Sequence, residues 1–483
     1  MRTFFYTILV FTTRILMTNA FEINNVSLSD TNSITLSWNS VGGRLYAIDA
    51  SPSPQVTTEN KIGEFRAAKN ISNFTEANVD FTANPNRFYR IREVDEYPFD
   101  KNRLLEVELT LNSADWNKIR QEVRNEQGAY GPNCDQSPSN PFTYVSADIT
   151  IDGTLIPNVG LRKKGWVTSG EKNKPSLKVK FDKYVDGVKF EGYKRLTLNN
   201  CIFDKSLIRQ CLAFGVFEAA GIPTPKCNFA HVRVNGKDLG IYANVENVKK
   251  KFLRRYFDDD EGDFFEGTES DFRNGGGWVG RFSRQTNDKV AGYGRIPDIV
   301  NALEATDGDL IEMLNPLIDL NQFLTFWATE VLVGHVDGYA GSSANFYIYD
   351  DPKTAKFQFI PWDLDYTFST EYDNYMEARS VWANAQLVKR LYLLPEIRAQ
   401  YFARLNYLLD SVWSEDHLNA SIDGMEAVLG NHLTPDNRSE ILNIREYINT
   451  LRSKVTAEIT SGRLITPELL EAPCGNNEGE DND

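Results

Sequence analysis

The stretch Ala344–Phe368, ANFYIYDDPKTAKFQFIPWDLDYTF, decides how this chain is read. Asn345 to Asp350 is apolar and aromatic, Asp351 to Ala355 carries a proline and small polar residues, and Lys356 to Pro361 is again strand-like. That pattern predicts a β-hairpin. Pairing Asp350 with Lys356 sets Asn345 opposite Pro361, which brings the Asn345 amide to the open end beside Asp363 and Asp365. An amide and two carboxylates converging there are the hard oxygen donors that magnesium takes.

The rest of the chain sets the frame for that hairpin. At 483 residues, 41% hydrophobic and 12% aromatic, it exceeds one ordinary domain and can bury a large core. A net charge of -15 and a pI near 5.0 argue against a nucleic-acid binder, which needs a basic face, while leaving room for a local basic cleft. Five cysteines (Cys134, Cys201, Cys211, Cys227 and Cys474) without a CxxC pair make no small-scaffold disulfide framework, though one or two bridges fit. The four histidines are scattered, which argues against a zinc site, and His231 reads as strand packing.

Residues 1–20, MRTFFYTILVFTTRILMTNA, combine a positive start, an apolar run and a small-residue exit, the pattern of a secretory signal peptide interrupted by Arg14. The run is too short to span a bilayer, so the expectation is export to the medium or the cell surface, with no membrane span after signal removal. Residues 21–97 are rich in Asn, Ser and Thr, with alternating strands such as SITLSWNS, and resemble a small fibronectin type III-like all-β sandwich, more often a spacer than a ligand site. EYPFDKNRL reads as a linker. Residues 98–470 mix strands and helices, with Ser113 the expected cap of a first helix and Asp204 to Ala220 a second. Helical patterns cover Leu310 to Val333 and the region from Ala383 to Arg463. The tail, 471–483, is acidic and polar and reads as disordered.

The middle of the chain follows the order of parts in a protein kinase: strands with a lysine-rich connection, a helix, two strands, a helical region, a loop with an Asp, then the hairpin. Phosphoryl transfer needs a lysine on the phosphates, an Asp near the acceptor hydroxyl, and an Asn and an Asp for magnesium. In GHVDGYAGSSANFY, His335 and Asp337 stand as a His-x-Asp pair and Asn345 follows Asp337 by eight residues. PWDLD then supplies Asp363 and Asp365.

GLRKKG, KPSLKVKF, IRQCLAFGVFEAAGIP, VRVNGKDLGIYANVENVKKKFLRRYF, VDGYAGSSANFYIY and FIPWDLDYTF together resemble the CotH family of spore-coat and secreted atypical kinases, over roughly Leu104 to Arg463. The resemblance implies an α+β, atypical protein-kinase-like domain that uses ATP with Mg2+, or Mn2+ in its place, on Ser or Thr hydroxyls of exported or surface proteins. It implies Asp337 as the catalytic Asp, Asn345 and Asp363 as metal ligands with Asp365 close by, and Arg162, Lys164 and Lys178 on the nucleotide. Glu246 falls where a hinge would meet adenine. Lys164 replaces a usual Arg and keeps the charge, whereas Glu266 in DFFEG replaces a common Lys and reverses it. The rival reading is a catalytically inactive CotH-like adhesin or surface scaffold; an enzyme acting on sugars is a third. Taken alone, Lys178 and Lys180 would be a solvated strand face.

Overall fold

Alternation along Ile34–Asn39, with Ile34, Leu36 and Trp38 turned inward, shows how the N-terminal part of this computed structural model is built. The structure describes residues 7–11, 23–28, 33–40, 45–53, 61–67, 71–77, 79–80, 86–94, 97–124, 129–131, 134–166, 171–286, 290–370 and 378–474. They fall into two compact units, Met1–Asp100 with Leu253–Phe257, and Lys101–Phe252 with Asp258–Asp483. In the first, strands β1 (Thr7–Phe11), β4 (Leu45–Ser51), β5 (Lys61–Arg66) and β7 (Asn86–Val94) form one sheet in the order β1-β7-β4-β5. Strands β2 (Ile23–Leu28), β3 (Ile34–Asn39) and β6 (Ile71–Glu76) form the other. Ile34, Leu36 and Trp38 share one buried cluster with Tyr46, Ile48, Tyr89 and Ile91 of the larger sheet. Most of the expected signal peptide lies outside the described residues; Thr7–Phe11 within it runs parallel to β7.

In the second unit β8 (Leu104–Thr110), β9 (Val145–Ile151), β10 (Thr154–Lys163), β11 (Leu177–Lys180), β12 (Arg195–Asn199), β13 (Cys227–Val234) and β14 (Lys237–Val245) close into a barrel. Strand β9 reads VSADITI, and Val145, Ala147, Ile149 and Ile151 point inward. The β9–β10 turn uses Asp152 and Gly153, both at positive φ (47° and 85°), as a two-residue hairpin turn requires. Antiparallel pairing sets Arg162 opposite Lys178, and parallel pairing of β8 with β13 sets Glu106 beside His231.

Two helix starts differ from the sequence expectation. Helix Ser113–Gln121 is capped by Asn112, whose side chain takes the Ala114 amide at 2.8 Å, and Ser113 is already helical. The next helix runs Arg209–Ala219 and not from Asp204. The Asp204 carboxylate accepts the amides of Ser206, Leu207 and Arg209, and that folds the preceding residues into a turn. The Leu310–Val333 pattern divides into Leu310–Leu314 and Leu320–Val333, separated around Pro316.

The decisive hairpin forms with its register shifted by one. β17 (Phe346–Asp351) pairs with β18 (Lys356–Pro361) so that Asp351 faces Lys356 and Phe346 faces Pro361. The Asp351 carboxylate takes the Lys353 amide and the Thr354 hydroxyl, at 3.0 and 2.8 Å, so Asp351 ends the strand and does not join the turn. With β15 (Phe264–Gly267) and β16 (Ser283–Arg284) the hairpin completes a sheet ordered β16-β15-β17-β18. Helices Gln386–Leu393, Pro395–Ser411, Glu415–Leu429 and Pro435–Ser461 follow.

Disulfides join Cys134 to Cys474 and Cys211 to Cys227; Cys201 is free and buried. The first bridge ties down Cys474 within the segment expected to be disordered, and residues 475–483 lie outside the described set. Among the described residues no helix is long and apolar enough to cross a membrane.

Candidate functional site

Helix Leu320–Val333 stops at Gly334, which takes the left-handed conformation (φ 71°) that ends helices. The loop beyond it carries Asp337. Glu330, fully buried on that helix, accepts the backbone amides of Tyr339 and Ala340 at 2.9 and 3.0 Å and so braces the loop. A Cβ at Gly338 would lie 2.3 Å from Glu330 Oε1 and 2.5 Å from His335 Nδ1, so only glycine fits.

Asn345, just before β17, donates from Nδ2 to Asp337 Oδ2 at 2.7 Å and to the Asp337 carbonyl at 3.0 Å. Its own carbonyl accepts the Trp362 amide at 3.1 Å, which places Asp363 next along the chain. Asn345 and Asp363 both have left-handed backbone (φ 51° and 44°), a conformation that Asn and Asp tolerate best among side-chain-bearing residues and that gathers at functional sites. Despite the shifted register, the open end of the hairpin holds the amide and the carboxylates together.

The charges there are crowded. Burial pushes the Asp337 carboxyl up to about 6; His335 opposes the shift, Asp363 adds to it, the Asn345 hydrogen bond opposes it and Glu269 adds to it. Asp365 is driven far above the usual carboxylate range by burial and then by Asp363, Asp337 and Asp204, with Lys164 pulling the other way. Repulsion among carboxylates is what a bound cation relieves.

A polar chain links this acidic end to the barrel. Lys164, directly after β10, donates to Asn199 Oδ1 and lies 5.8 Å from the centre of the Trp362 ring. Asn199 Nδ2 donates to Gln210 Oε1 at 2.8 Å, and Gln210 Nε2 reaches Asp363 Oδ1 at 3.4 Å. Burial lowers the Lys178 ammonium well below its usual value; Arg162, Lys249 and Lys164 lower it further and Glu266 opposes them. Arg162 donates to Asn140 Oδ1 at 3.2 Å and lies over the Tyr144 ring. Glu266 faces Tyr347 across β15 and β17 and accepts its hydrogen bond; burial, then this carboxylate, push the Tyr347 phenol well up. The charge reversal at Glu266 thus gives the lysine cluster a carboxylate of its own.

Arg162, Lys164 and Lys178 are therefore gathered into one cationic group. Glu246 is engaged elsewhere: its buried carboxylate accepts the Lys226 amide at 3.1 Å at the start of β13.

The family described as CotH kinase protein matches residues 161–452. The chain belongs to the CotH kinase protein family. Within curated proteins, inner spore coat protein H of Bacillus subtilis (strain 168) is 24% identical over 248 residues, 49% of this chain and 68% of that protein. The inner spore coat protein H-like protein of the same strain is 35% identical over 65 residues, 14% of this chain and 21% of its own length. Of solved structures, the Helicobacter pylori proinflammatory kinase CtkA superposes with a TM-score of 0.32 at 9% identity, covering 60% of this chain and 96% of that one. The Shewanella oneidensis MR-1 HipA–HipB–operator DNA complex gives 0.32 at 11% identity, covering 77% and 75%. Superpositions this loose carry no argument here; the CotH match rests on the sequence.

Sequence reasoning missed Glu330, Asn199, Gln210 and the place of Glu266. Two of them left a trace: Gln210 is polar in the apolar run IRQCLAFGVF, and Glu330 is the one charge in the helix LNQFLTFWATEVLV. A polar side chain on a buried helix face marks a bond to be satisfied.

Proposed function

We propose that this CotH protein is an ATP-using atypical protein kinase that phosphorylates Ser or Thr hydroxyls of exported or surface proteins. The observation that carries the reading is the convergence of Asp337, Asn345, Asp363 and Asp365 on one crowded acidic centre, linked through Gln210 and Asn199 to Lys164. Hard oxygen donors and unrelieved carboxylate repulsion fit magnesium, or manganese in its place. Asp363, Asp365 and Asn345 would hold the ion, which when bound neutralises phosphate oxygens. Arg162, Lys164 and Lys178 supply positive charge for the nucleotide phosphates, whose negative charge would offset the burial and like charges that lower the Lys178 ammonium. Asp337 takes the acceptor hydroxyl's proton as its oxygen bonds to the γ-phosphorus and the bond to the β-phosphate oxygen breaks, leaving ADP.

Similarity to a spore coat protein supports a coat or surface location, and the N-terminal hydrophobic run supports export. The first unit is read as a fibronectin type III-like spacer, from the two sheets and shared core that strands β2 to β7 build after residue 21. A second reading, an inactive adhesin or scaffold, is favoured by one feature: Glu266 already answers the lysine cluster with a carboxylate. Incubating the purified protein and casein with γ-labelled ATP and Mg2+ separates the two. Label in protein that is lost on omitting the metal is expected; no incorporation and no ATP binding with Mg2+ or Mn2+ would leave the scaffold reading.

A further inference from the structure

We propose that Glu106, His231 and His432 bind a divalent transition-metal ion of the zinc class, at a site separate from the acidic centre. His231 and Glu106 are in-register neighbours on β13 and β8, with His231 Nδ1 3.1 Å from Glu106 Oε2. His432 is distant in sequence but its ring centre lies 4.5 Å from that of His231. It sits in the short turn Gly430–His432 between buried Leu429 and Leu433, which fixes where the imidazole hangs. One ligand atom from each of the three residues lies within 4.8 Å of the others.

The hydrogen bonds around His231 aim it as a ligand. Its Nε2 lies 2.9 Å from Asp238 Oδ1. Asp238 accepts at Nε2, and the guanidinium of Arg233, which only donates, lies with Nη2 3.1 Å from Nδ1, so this network assigns the proton to Nε2 and leaves the Nδ1 lone pair on the side of Arg233 and Glu106. In that tautomer Nδ1 and Glu106 Oε2, 3.1 Å apart, are two acceptors that a cation bridges. Arg233 now serves, with Nη2 3.1 Å from His231 Nδ1 and Nη1 donating to Glu106 Oε2 at 2.9 Å. Its side chain is 39% exposed, so it can turn into solvent when a metal enters. Two imidazoles and a carboxylate are a zinc ligand set with one position left for water, and Asp238 is the outer carboxylate that holds a metal-ligating histidine in its tautomer. The ion would join the barrel to the turn after helix Glu415–Leu429.

The test uses the untagged 483-residue chain stripped with EDTA, titrated with Zn2+ by calorimetry and with Co2+ by visible absorption. One ion per chain is expected, with a cobalt spectrum of tetrahedral type and a raised thermal midpoint. His231→Gln and His432→Gln should each lose binding at least tenfold, and Asp238→Asn should weaken it by about 10 to 100-fold. His432 is exposed, so its variant carries the test even where His231→Gln fails to fold. Arg233→Gln should bind more tightly, because a competing cation is gone. Binding should persist in Asp363→Ala. Absence of stoichiometric Zn2+ uptake by the wild type, undiminished uptake in His432→Gln, or weaker uptake in Arg233→Gln would overturn the proposal and leave Arg233 as the cation the cluster was built for.

Discussion

Asp204 and Asp365 are the same residue type in the same unit, and each is set back from solvent, yet their surroundings are opposite. Asp204 is a completed arrangement: its carboxylate accepts the amides of Ser206, Leu207 and Arg209 at 3.0, 3.1 and 2.8 Å and the Arg209 guanidinium at 3.2 Å. Arg209 in turn donates to the Thr367 carbonyl at 2.7 Å and to Glu440. Asp365 instead faces Asp363, Asp337 and Asp204, with Lys164 the cation that offsets them. A buried charge is tolerated when its hydrogen bonds and counter-charge are in place, as at Asp204. Where like charges are crowded together, the arrangement costs stability and is kept for what it binds. The contrast separates a carboxylate that builds the fold from one crowded by like charges.

The largest effect should come from breaking the completed side. Asp204→Ala leaves three backbone amides without their acceptor and buried Arg209 with Glu440 as its remaining carboxylate, and is expected to cost about 3 to 5 kcal/mol, read from the denaturant midpoint at unchanged slope. Asp365→Asn should leave the metal-free protein at least as stable as wild type. Equal destabilisation by both substitutions would erase the contrast.

Removing a like charge sharpens it. Asp337 has a folded value of about 6 against 3.8 for the free side chain, so between those values the folded state holds more protons than the unfolded one. Its contribution to stability therefore falls as pH rises through that window, and the cost is complete above it. Asp337→Asn in metal-free protein should gain about 1 to 2 kcal/mol at pH 7, Asp337 being only partly buried, and almost nothing at pH 4. Thermal midpoints across that range measure it, and added Mg2+ should shrink the difference.

On the cationic side, Lys178→Ala should weaken Mg-ATP binding about tenfold, roughly 1.4 kcal/mol, while Lys180→Ala, which lies 3.8 Å from Asp182 on the same strand face, should change it little. Calorimetric titration of the two variants decides; equal affinities would return Lys178 to the solvated-face reading. The smallest effect is expected of Gln210→Leu, which removes the bridge between Asn199 and Asp363 for about 1 kcal/mol of stability. It should also loosen Mg-ATP affinity if the bridge holds Asp363 in place, and leave affinity untouched if it only fills the interior.

Local chemistry was legible and long-range geometry was not. The hairpin and the Asp337–Asn345–Asp363 order could be read because each rests on neighbours in sequence. The register missed by one because Asp351 spends its carboxylate on Lys353 and Thr354, a turn bond that period-two alternation does not reveal. Asp204 misled the helix start for the same reason, its side chain competing with the helix for backbone amides. Glu246 was placed by analogy of position, and its carboxylate accepts the Lys226 amide. The pairing of His231 with His432 was invisible, since only the closed barrel and the C-terminal helices bring them together.

The central claim, that the crowded acidic centre transfers phosphate, is tested most directly by measuring Mg-ATP affinity and phosphate incorporation side by side for wild type, Asp337→Ala and Asp363→Ala, with circular dichroism as the folding check. Asp363→Ala should lose both metal-dependent affinity and turnover, because it is assigned to the ion. Asp337→Ala should keep much of its affinity while turnover drops by about a hundredfold or more, the scale of acid–base assistance. Incorporation by Asp337→Ala equal to that of wild type, or a wild-type protein that binds no ATP with any divalent metal, would contradict the account.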